Sequence, residues 1–208
     1  MDTHDSTDKA RLGVLVSGRG SNLQALIDAF SGGRLNGQLA VVISNMAGVF
    51  ALERAERAGI PTAVVDHRGW SSRDEFDRAL VAELRKHQVS LVCLAGFMRR
   101  LGKPLLQAFP DAVLNIHPSL LPSFPGLHPQ RQALDHGAKL SGVTVHLVTE
   151  ELDAGPILLQ RAVPVLDDDT EDSLAARILA EEHVAYPAAV EMMLAGGWRI
   201  SGRRFARS

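Results

Sequence analysis

The sequence has little cysteine and no long apolar run. Its 208 residues contain one cysteine, so no disulfide can form within the chain. Cys93 lies in the apolar run 91–95, where a small buried thiol is a more ordinary role than catalysis. No segment approaches about twenty uninterrupted apolar residues. These features argue against a disulfide-stabilised domain and against a membrane-spanning protein.

Neither sign of charge is in excess. The chain has 22 basic and 24 acidic residues and a formal net charge of -2, so no overall attraction to nucleic acid or to an anionic membrane is expected. Residues 1–10 lack the positive and apolar regions of a secretory signal, and we expect a disordered tail there and a cytoplasmic protein. Residues 11–208 contain no repeat or linker and suit one domain.

Short apolar runs rich in β-branched residues alternate with helical patterns in the first half of the chain. This alternation predicts an α/β fold, in which helices cover both faces of a mostly parallel sheet. The expected strands are 12–17, 39–44, 62–66, 91–95 and 112–116, and the expected helices are 23–30, 50–58, 73–87 and 103–109. One apolar stripe predicted to lie in the core consists of Phe76, Leu80, Leu84 and His87.

The pattern changes after Pro122. Residues 142–149 and 157–165 are extended runs joined by a loop, which indicates a late antiparallel addition to the sheet. Residues 171–194 predict a final helix that starts at an N-cap, Thr170 or Asp169, and that Pro187 could interrupt.

A glycine loop, 17–22, follows the first strand and opens a helix. In that position, backbone N–H groups and the helix dipole can bind a phosphate. A tight strand-to-helix turn also favours glycine for purely structural reasons, and Arg19 could add charge or simply be solvated. The loop lacks the third glycine of a dinucleotide fingerprint and the lysine of a nucleoside triphosphate loop. A single monophosphate is therefore the best-supported anion.

Asn115 and His117 flank one residue at the end of a predicted strand. Because side chains alternate along a strand, both point to the same side of the sheet, at the carboxyl end where α/β proteins bind ligands. An amide and an imidazole there could stabilise an oxyanion and move protons. From chemistry alone, a capping or packing histidine before Pro118 is equally well supported, and Asp153 could be an ordinary turn aspartate.

Other polar residues favour structural roles. Residues 167–169 are three aspartates before a helix, and such carboxylates cap helices more often than they bind metals. His128, His146 and His183 show no metal-ligand spacing, so we expect no metal. His146 alternates with apolar neighbours on a strand and could face the cleft near His117.

Four separated motifs together resemble one family. In order, they are 17–25, 94–99, 115–122 with Gly126, and 152–157. This arrangement resembles the phosphoribosylglycinamide formyltransferases, folate-dependent enzymes of purine synthesis, and the match extends from about residue 12 to residue 198. The resemblance implies a Rossmann-like doubly wound domain with an antiparallel C-terminal addition.

The resemblance also implies site residues. They are the catalytic Asn115, His117 and Asp153; Gly20, Ser21 and Asn22 at the substrate phosphate; Glu182 on its amine side; and Arg73, Met98, Arg99, Arg100, Leu101 and Asn115 at the folate. The implied reaction transfers the formyl group of 10-formyltetrahydrofolate to the amine of 5-phosphoribosylglycinamide, without a metal. The chain could form a homodimer.

Two positions depart from the family pattern. Arg19 and Arg100 replace residues common in relatives, which affects details at the phosphate and the folate.

Three other classes of protein are alternatives. Methionyl-tRNA formyltransferase carries a further C-terminal domain, and formyltetrahydrofolate deformylase carries an N-terminal regulatory domain. A non-catalytic nucleotide-binding module would keep the glycine loop but would not need His117 and Asp153.

Overall fold

The computed structural model describes residues 9–207, which form one sheet of nine strands with six α-helices. The strands are β1 Arg11–Val16, β2 Gln38–Ser44, β3 Thr62–Val64, β4 Leu91–Leu94, β5 Val113–His117, β6 Leu140–Leu147, β7 Ile157–Pro164, β8 Trp198–Ser201 and β9 Arg204–Arg207. The helices are α1 Ser21–Ser31, α2 Phe50–Arg57, α3 Arg73–Lys86, α4 Lys103–Ala108, α5 Pro129–Asp135 and α6 Glu171–Leu194.

The strand order is β3-β2-β1-β4-β5-β6-β7-β9-β8. The first five strands in this order pair in parallel, and β6 then pairs antiparallel with both β5 and β7. The chain winds outward from β1 to β3 and then returns to β4 on the other side of β1. A crevice at the carboxyl ends of β1 and β4 is the usual ligand position in such a sheet. The α/β prediction and its antiparallel addition are confirmed.

Two apolar clusters fill the two faces of the sheet. One cluster joins alternate residues of β1, such as Leu12 and Val14, to buried residues of α1 and α6. The other joins Leu15 to the buried face of α3 and to Leu105 of α4. Because each face is covered, the central strands are buried on both sides and read as continuous apolar runs. None of the helices within residues 9–207 combines the length and apolar character needed to cross a bilayer.

Most predicted boundaries agree with the structure to within one or two residues. The strand expected at 62–66 is shorter, because the Asp66 side chain accepts a hydrogen bond from the backbone N–H of Arg68 and caps a 3-10 turn at His67–Gly69. The stripe on α3 is buried at Phe76, but His87 is not core. It follows the helix as its C-cap, and its side chain lies 26% exposed beside Glu83.

The last helix was predicted with its exact bounds. Thr170 is its N-cap and exchanges hydrogen bonds with Ser173 in a capping box. Pro187 does not interrupt α6: it is buried within a continuous helix that packs along α1 and β6. The prediction missed α5 and the hairpin of β8 and β9. Residues 1–8 of the expected tail lie outside the described residues.

Candidate active site

The candidate catalytic residues sit on β5 and on the loop before β7. Asn115 and His117 alternate with Leu114 and Ile116, which belong to the core on the α6 side, so both polar side chains project from the opposite face. On β6, His146 pairs with Asn115 and Thr144 pairs with His117. The expected convergence of the amide and the imidazole is thus present.

The His117 ring is held at one nitrogen and open at the other. Its Nε2 lies 2.9 Å from the backbone oxygen of Phe124, and a carbonyl oxygen only accepts hydrogen bonds, so Nε2 carries the proton. Its Nδ1 lies 3.6 Å from Oδ2 of Asp153, and the side chain is 7% exposed. The nitrogen that can gain or lose a proton therefore faces a carboxylate.

His146 orients the Asn115 amide. Nδ1 of His146 lies 2.9 Å from the backbone oxygen of Leu147 and must donate to it, so Nε2 of the neutral ring accepts. Nδ2 of Asn115 lies 3.2 Å from this Nε2 and supplies the hydrogen. Burial lowers the pKa of His146, which keeps the ring neutral and able to accept. The second Asn115 N–H has no acceptor within residues 9–207 and can bind a substrate.

Asp153 reaches this group from a loop in a strained conformation. Its φ is 50°, in the left-handed region, and its Oδ2 accepts a 2.8 Å hydrogen bond from the backbone N–H of Gly126. Its other oxygen, Oδ1, lies 3.8 Å from Nε2 of His146. Gly155 lets the loop pack closely, since a Cβ there would lie 1.8 Å from the backbone oxygen of Leu147. The carboxylate is fixed between two imidazoles.

The glycine loop opens α1 in the expected way. Gly20 is the N-cap with φ 71°, and a Cβ there would lie 2.6 Å from the Cβ of Ala51 on α2. Both the conformation and the close approach therefore require glycine. Among the residues that the structure describes, no side chain caps α1, so its first N–H groups are available to an anion. Arg19 is exposed, and its backbone oxygen accepts a hydrogen bond from Arg54.

The loop is tied to Glu182 on α6. Nδ2 of Asn22 donates a 2.6 Å hydrogen bond to Oε2 of Glu182, and both residues are 8% exposed. Burial raises the pKa of Glu182, while the Asn22 hydrogen bond opposes the shift. Oδ1 of Asn22 is buried with no hydrogen-bond partner in the described residues. Two residues that the sequence separates by 160 positions thus form one polar wall.

A cavity of about 530 Å³ lies between the start of α3 and residues 98–100, in the segment that follows β4. Its walls combine three arginines with aromatic and polar side chains. The lining residues are His67, Trp70, Ser71, Ser72, Arg73, Phe76, Met98, Arg99 and Arg100. Four of the six residues expected at the folate line it. Leu101 is buried in the core on the α3 side, and Asn115 is not among the lining residues. None of the nine lining residues is acidic.

The remaining candidates have structural surroundings. Cys93 is fully buried, and burial raises the pKa of its thiol to about 12. Asp169 pairs with Arg177, which holds the pKa of the carboxyl well below its usual range, and Asp167 pairs with Lys139. Within residues 9–207, no group of three or more His, Cys, Asp or Glu side chains is arranged to hold a metal ion.

Sequence reasoning did not anticipate the carbonyl of Phe124 or the N–H of Gly126 as partners of the catalytic group. Backbone groups leave no residue-type signal. Both lie in a proline-rich loop, and Phe124 has a φ of 56°, which no pattern of side chains indicates. The sequence indicates that His146 could face the cleft, and in the structure its ring lies against both Asn115 and Asp153.

Comparisons with known proteins identify the family. A model of the formyl transferase family matches residues 10–190. The phosphoribosylglycinamide formyltransferase of Escherichia coli (strain K12) is 46% identical over 91% of this chain and 87% of its own length. A crystal structure of glycinamide ribonucleotide transformylase 1 from Symbiobacterium toebii is 51% identical, with a TM-score of 0.95 over 100% of this chain and 98% of that one.

The chain therefore belongs to the formyl transferase family of enzymes. Within that family it groups with the phosphoribosylglycinamide formyltransferases. It also resembles part of longer proteins. The Drosophila melanogaster trifunctional purine biosynthetic protein adenosine-3 is 50% identical over 94% of the chain, which spans only 15% of that protein.

Proposed function

We propose that the protein transfers the formyl group of 10-formyltetrahydrofolate to the amine of 5-phosphoribosylglycinamide in de novo purine biosynthesis. The products are 5-phosphoribosyl-N-formylglycinamide and tetrahydrofolate. One observation carries the proposal: Asn115, His117 and Asp153 converge on one face of β5, with a neutral His146 behind them. This is an arrangement suited to a tetrahedral oxyanion and to the proton that its formation releases.

His117 acts through Nδ1. With Nε2 fixed on the Phe124 carbonyl, protonation of the ring puts the second N–H on the side that Asp153 faces. That N–H stabilises the oxyanion formed when the substrate amine attacks the formyl carbon.

Asn115 and Asp153 complete the chemistry. The free N–H of Asn115 donates a second hydrogen bond to the oxyanion, because His146 already holds the other one. Asp153 takes the proton that leaves the amine, directly or through water. The oxyanion then re-forms the carbonyl as the bond between the formyl carbon and N10 of the folate breaks. N10 takes the proton that Asp153 holds, directly or through water, and tetrahydrofolate leaves.

The ribonucleotide fits the glycine loop. Its phosphate would accept hydrogen bonds from the N–H groups at Gly20, Ser21 and Asn22, where the dipole of α1 favours an anion. Glu182 lies against Asn22 and would face the amine side of the substrate. This assignment supports a single monophosphate, because the loop has no lysine for a longer phosphate chain.

The folate fits the cavity beside Arg73. Trp70 and Phe76 offer apolar surface for an aromatic ring system, while Arg73, Arg99 and Arg100 complement the carboxylates of the folate tail. The backbone contacts to the folate would come from residues 98–101. We propose no metal in this reaction. The cytoplasmic location, the single-domain organisation and the formation of a homodimer remain predictions.

The test is turnover with and without the amine. Loss of 10-formyltetrahydrofolate should require 5-phosphoribosylglycinamide, and the rate should saturate with it. Loss at the same rate without the ribonucleotide would show a hydrolase. Tight binding of a phosphate ligand with no turnover would show a binding module and overturn the proposal.

A further inference from the structure

One hydroxyl joins the glycine loop to the wall of the folate cavity. Ser17 directly follows β1 and is the first residue of the glycine loop. Its Oγ accepts a 2.8 Å hydrogen bond from the backbone N–H of Met98 and donates a 2.6 Å hydrogen bond to Oδ1 of Asn45. Its backbone N–H donates to the oxygen of Gly96 at 3.2 Å. Connections after β1, β2 and β4 therefore meet at a single side chain.

The direction of these hydrogen bonds is fixed. A backbone N–H only donates, so the Ser17 oxygen accepts from Met98 and has one hydrogen left for Asn45. Oδ1 of Asn45 is then occupied, and its Nδ2 faces Nδ1 of His67 at 3.2 Å. Asn45 is 2% exposed, so water cannot easily replace a lost partner. His67 and Met98 both line the cavity of about 530 Å³.

Each side of this link belongs to a different substrate. The segment after Ser17 carries the N–H groups proposed for the phosphate, and Met98 starts the segment proposed for the folate. Displacing either segment would stretch the hydrogen bonds at Ser17. A link of this kind makes the ordering of one segment favour the ordering of the other, which is how two binding sites become coupled.

We propose that Ser17 is a positioning residue that couples the two substrate sites, so that the phosphate-bearing amine and the folate strengthen each other's binding. This inference rests on the proposed function. It predicts reciprocity, because the factor by which the ribonucleotide tightens folate binding must equal the factor by which folate tightens ribonucleotide binding.

The test measures binding of tetrahydrofolate, which cannot donate a formyl group, with and without 5-phosphoribosylglycinamide. In the native chain, the ribonucleotide should tighten tetrahydrofolate binding severalfold. In Ser17→Ala, tetrahydrofolate should bind about tenfold more weakly in the ternary complex, and the ratio of the two dissociation constants should fall to about one. Ser17→Thr keeps the hydroxyl and should restore the coupling.

Ser90→Ala is the matched control. The Ser90 hydroxyl also contacts the backbone of β1, at 3.3 Å from both N and O of Arg11, but at the opposite end of β1 and β4. Its removal should leave the coupling unchanged. If Ser17→Ala folds poorly, Ser17→Cys keeps the size of the side chain with a much weaker hydrogen-bonding group and should also lower the coupling.

Two results would overturn the inference. One is a native chain in which the ribonucleotide has no effect on tetrahydrofolate binding. The other is native coupling in Ser17→Ala or Ser17→Cys. Failure of the proposed function is distinguishable, since it would appear as absent amine-dependent turnover in the native chain before any variant is compared.

Discussion

Oδ2 of Asp153 lies 3.6 Å from Nδ1 of His117, and both side chains are 7% exposed. At this distance the two atoms are not hydrogen-bonded to each other, so the ring nitrogen stays able to bind a substrate or a water molecule. The carboxylate is anchored by Gly126 and the imidazole by the Phe124 carbonyl. Both groups are thus held in place to contact the same substrate.

Removing either partner should lower the chemical step. His117→Ala and Asp153→Asn should each reduce kcat by about two to four powers of ten, because each removes stabilisation of the oxyanion or the acceptor of the amine proton. Ribonucleotide affinity, measured by calorimetry, should stay within about threefold, since neither residue contacts the glycine loop. His128→Ala, a change at an exposed histidine, is the control. A near-native kcat in either variant would remove that residue from the mechanism.

Gly20 is expected to be irreplaceable by alanine. Gly20→Ala would strain a φ of 71° and place a Cβ 2.6 Å from Ala51, so α2 or the loop must shift. The free energy of unfolding should fall by about 1–3 kcal/mol, and KM for the ribonucleotide should rise. Gly18→Ala is the matched control, because a Cβ there meets nothing within 4 Å. Equal stability losses in the two variants, measured by urea unfolding, would contradict this explanation.

The charged form of Glu182 should lower the stability of the fold and strengthen binding of the ribonucleotide. Because burial raises the pKa of this carboxyl, its charged form is disfavoured, and the cost grows as the pH rises above the pKa of the unfolded state. Glu182→Gln keeps an oxygen for the Asn22 N–H and removes the charge. At pH 7 the variant should unfold at a higher urea concentration and bind the ribonucleotide more weakly. A less stable variant would show that the hydrogen bond outweighs the burial cost.

His146 should make stability depend on pH. Burial lowers its pKa in the folded state, so the unfolded chain takes up a proton near pH 6.5 that the folded chain does not. Stability attributable to neutral His146 is therefore present above about pH 6.5 and is lost as the pH falls towards its folded pKa, by up to about 1.4 kcal/mol per pH unit.

The check compares unfolding free energies of the native chain and His146→Gln between pH 7.5 and pH 5. The variant should lose less stability on acidification than the native chain does. His128→Gln should follow the native curve, because His128 is largely exposed. Parallel curves for the native chain and His146→Gln would exclude His146 as a buried neutral ring.

The parallel part of the sheet was predictable because its signals are local. Apolar runs such as Leu91–Leu94 are buried on both faces. The N-cap Thr170 and a long helical pattern indicate α6. The hairpin of β8 and β9 was missed, since each of its strands has only four residues, which is too short for a clear alternation signal. Helix α5 was missed because it follows the proline-rich loop and its N-cap is His128, which has a left-handed backbone conformation and supplies no side-chain cap among the described residues.

The site was predictable where side chains carry the chemistry. The spacing of Asn115 and His117 indicated their common face, but chemistry alone left packing and catalysis equally supported. Asp153 lies 36 residues beyond His117 in the sequence, and only the family resemblance selected it from other turn aspartates. The backbone partners at Phe124 and Gly126, and the chain of hydrogen bonds at Ser17, arise from loop conformations that no residue pattern encodes.

The most direct test of the proposed reaction follows the formyl carbon itself. The chain is incubated with 10-formyltetrahydrofolate labelled with ¹³C in the formyl group and with 5-phosphoribosylglycinamide, and the labelled products are identified by NMR. Formyl transfer predicts that all the label released from the folate appears on the amine nitrogen of the ribonucleotide. Release of the label as formate, with the ribonucleotide unchanged, would contradict it.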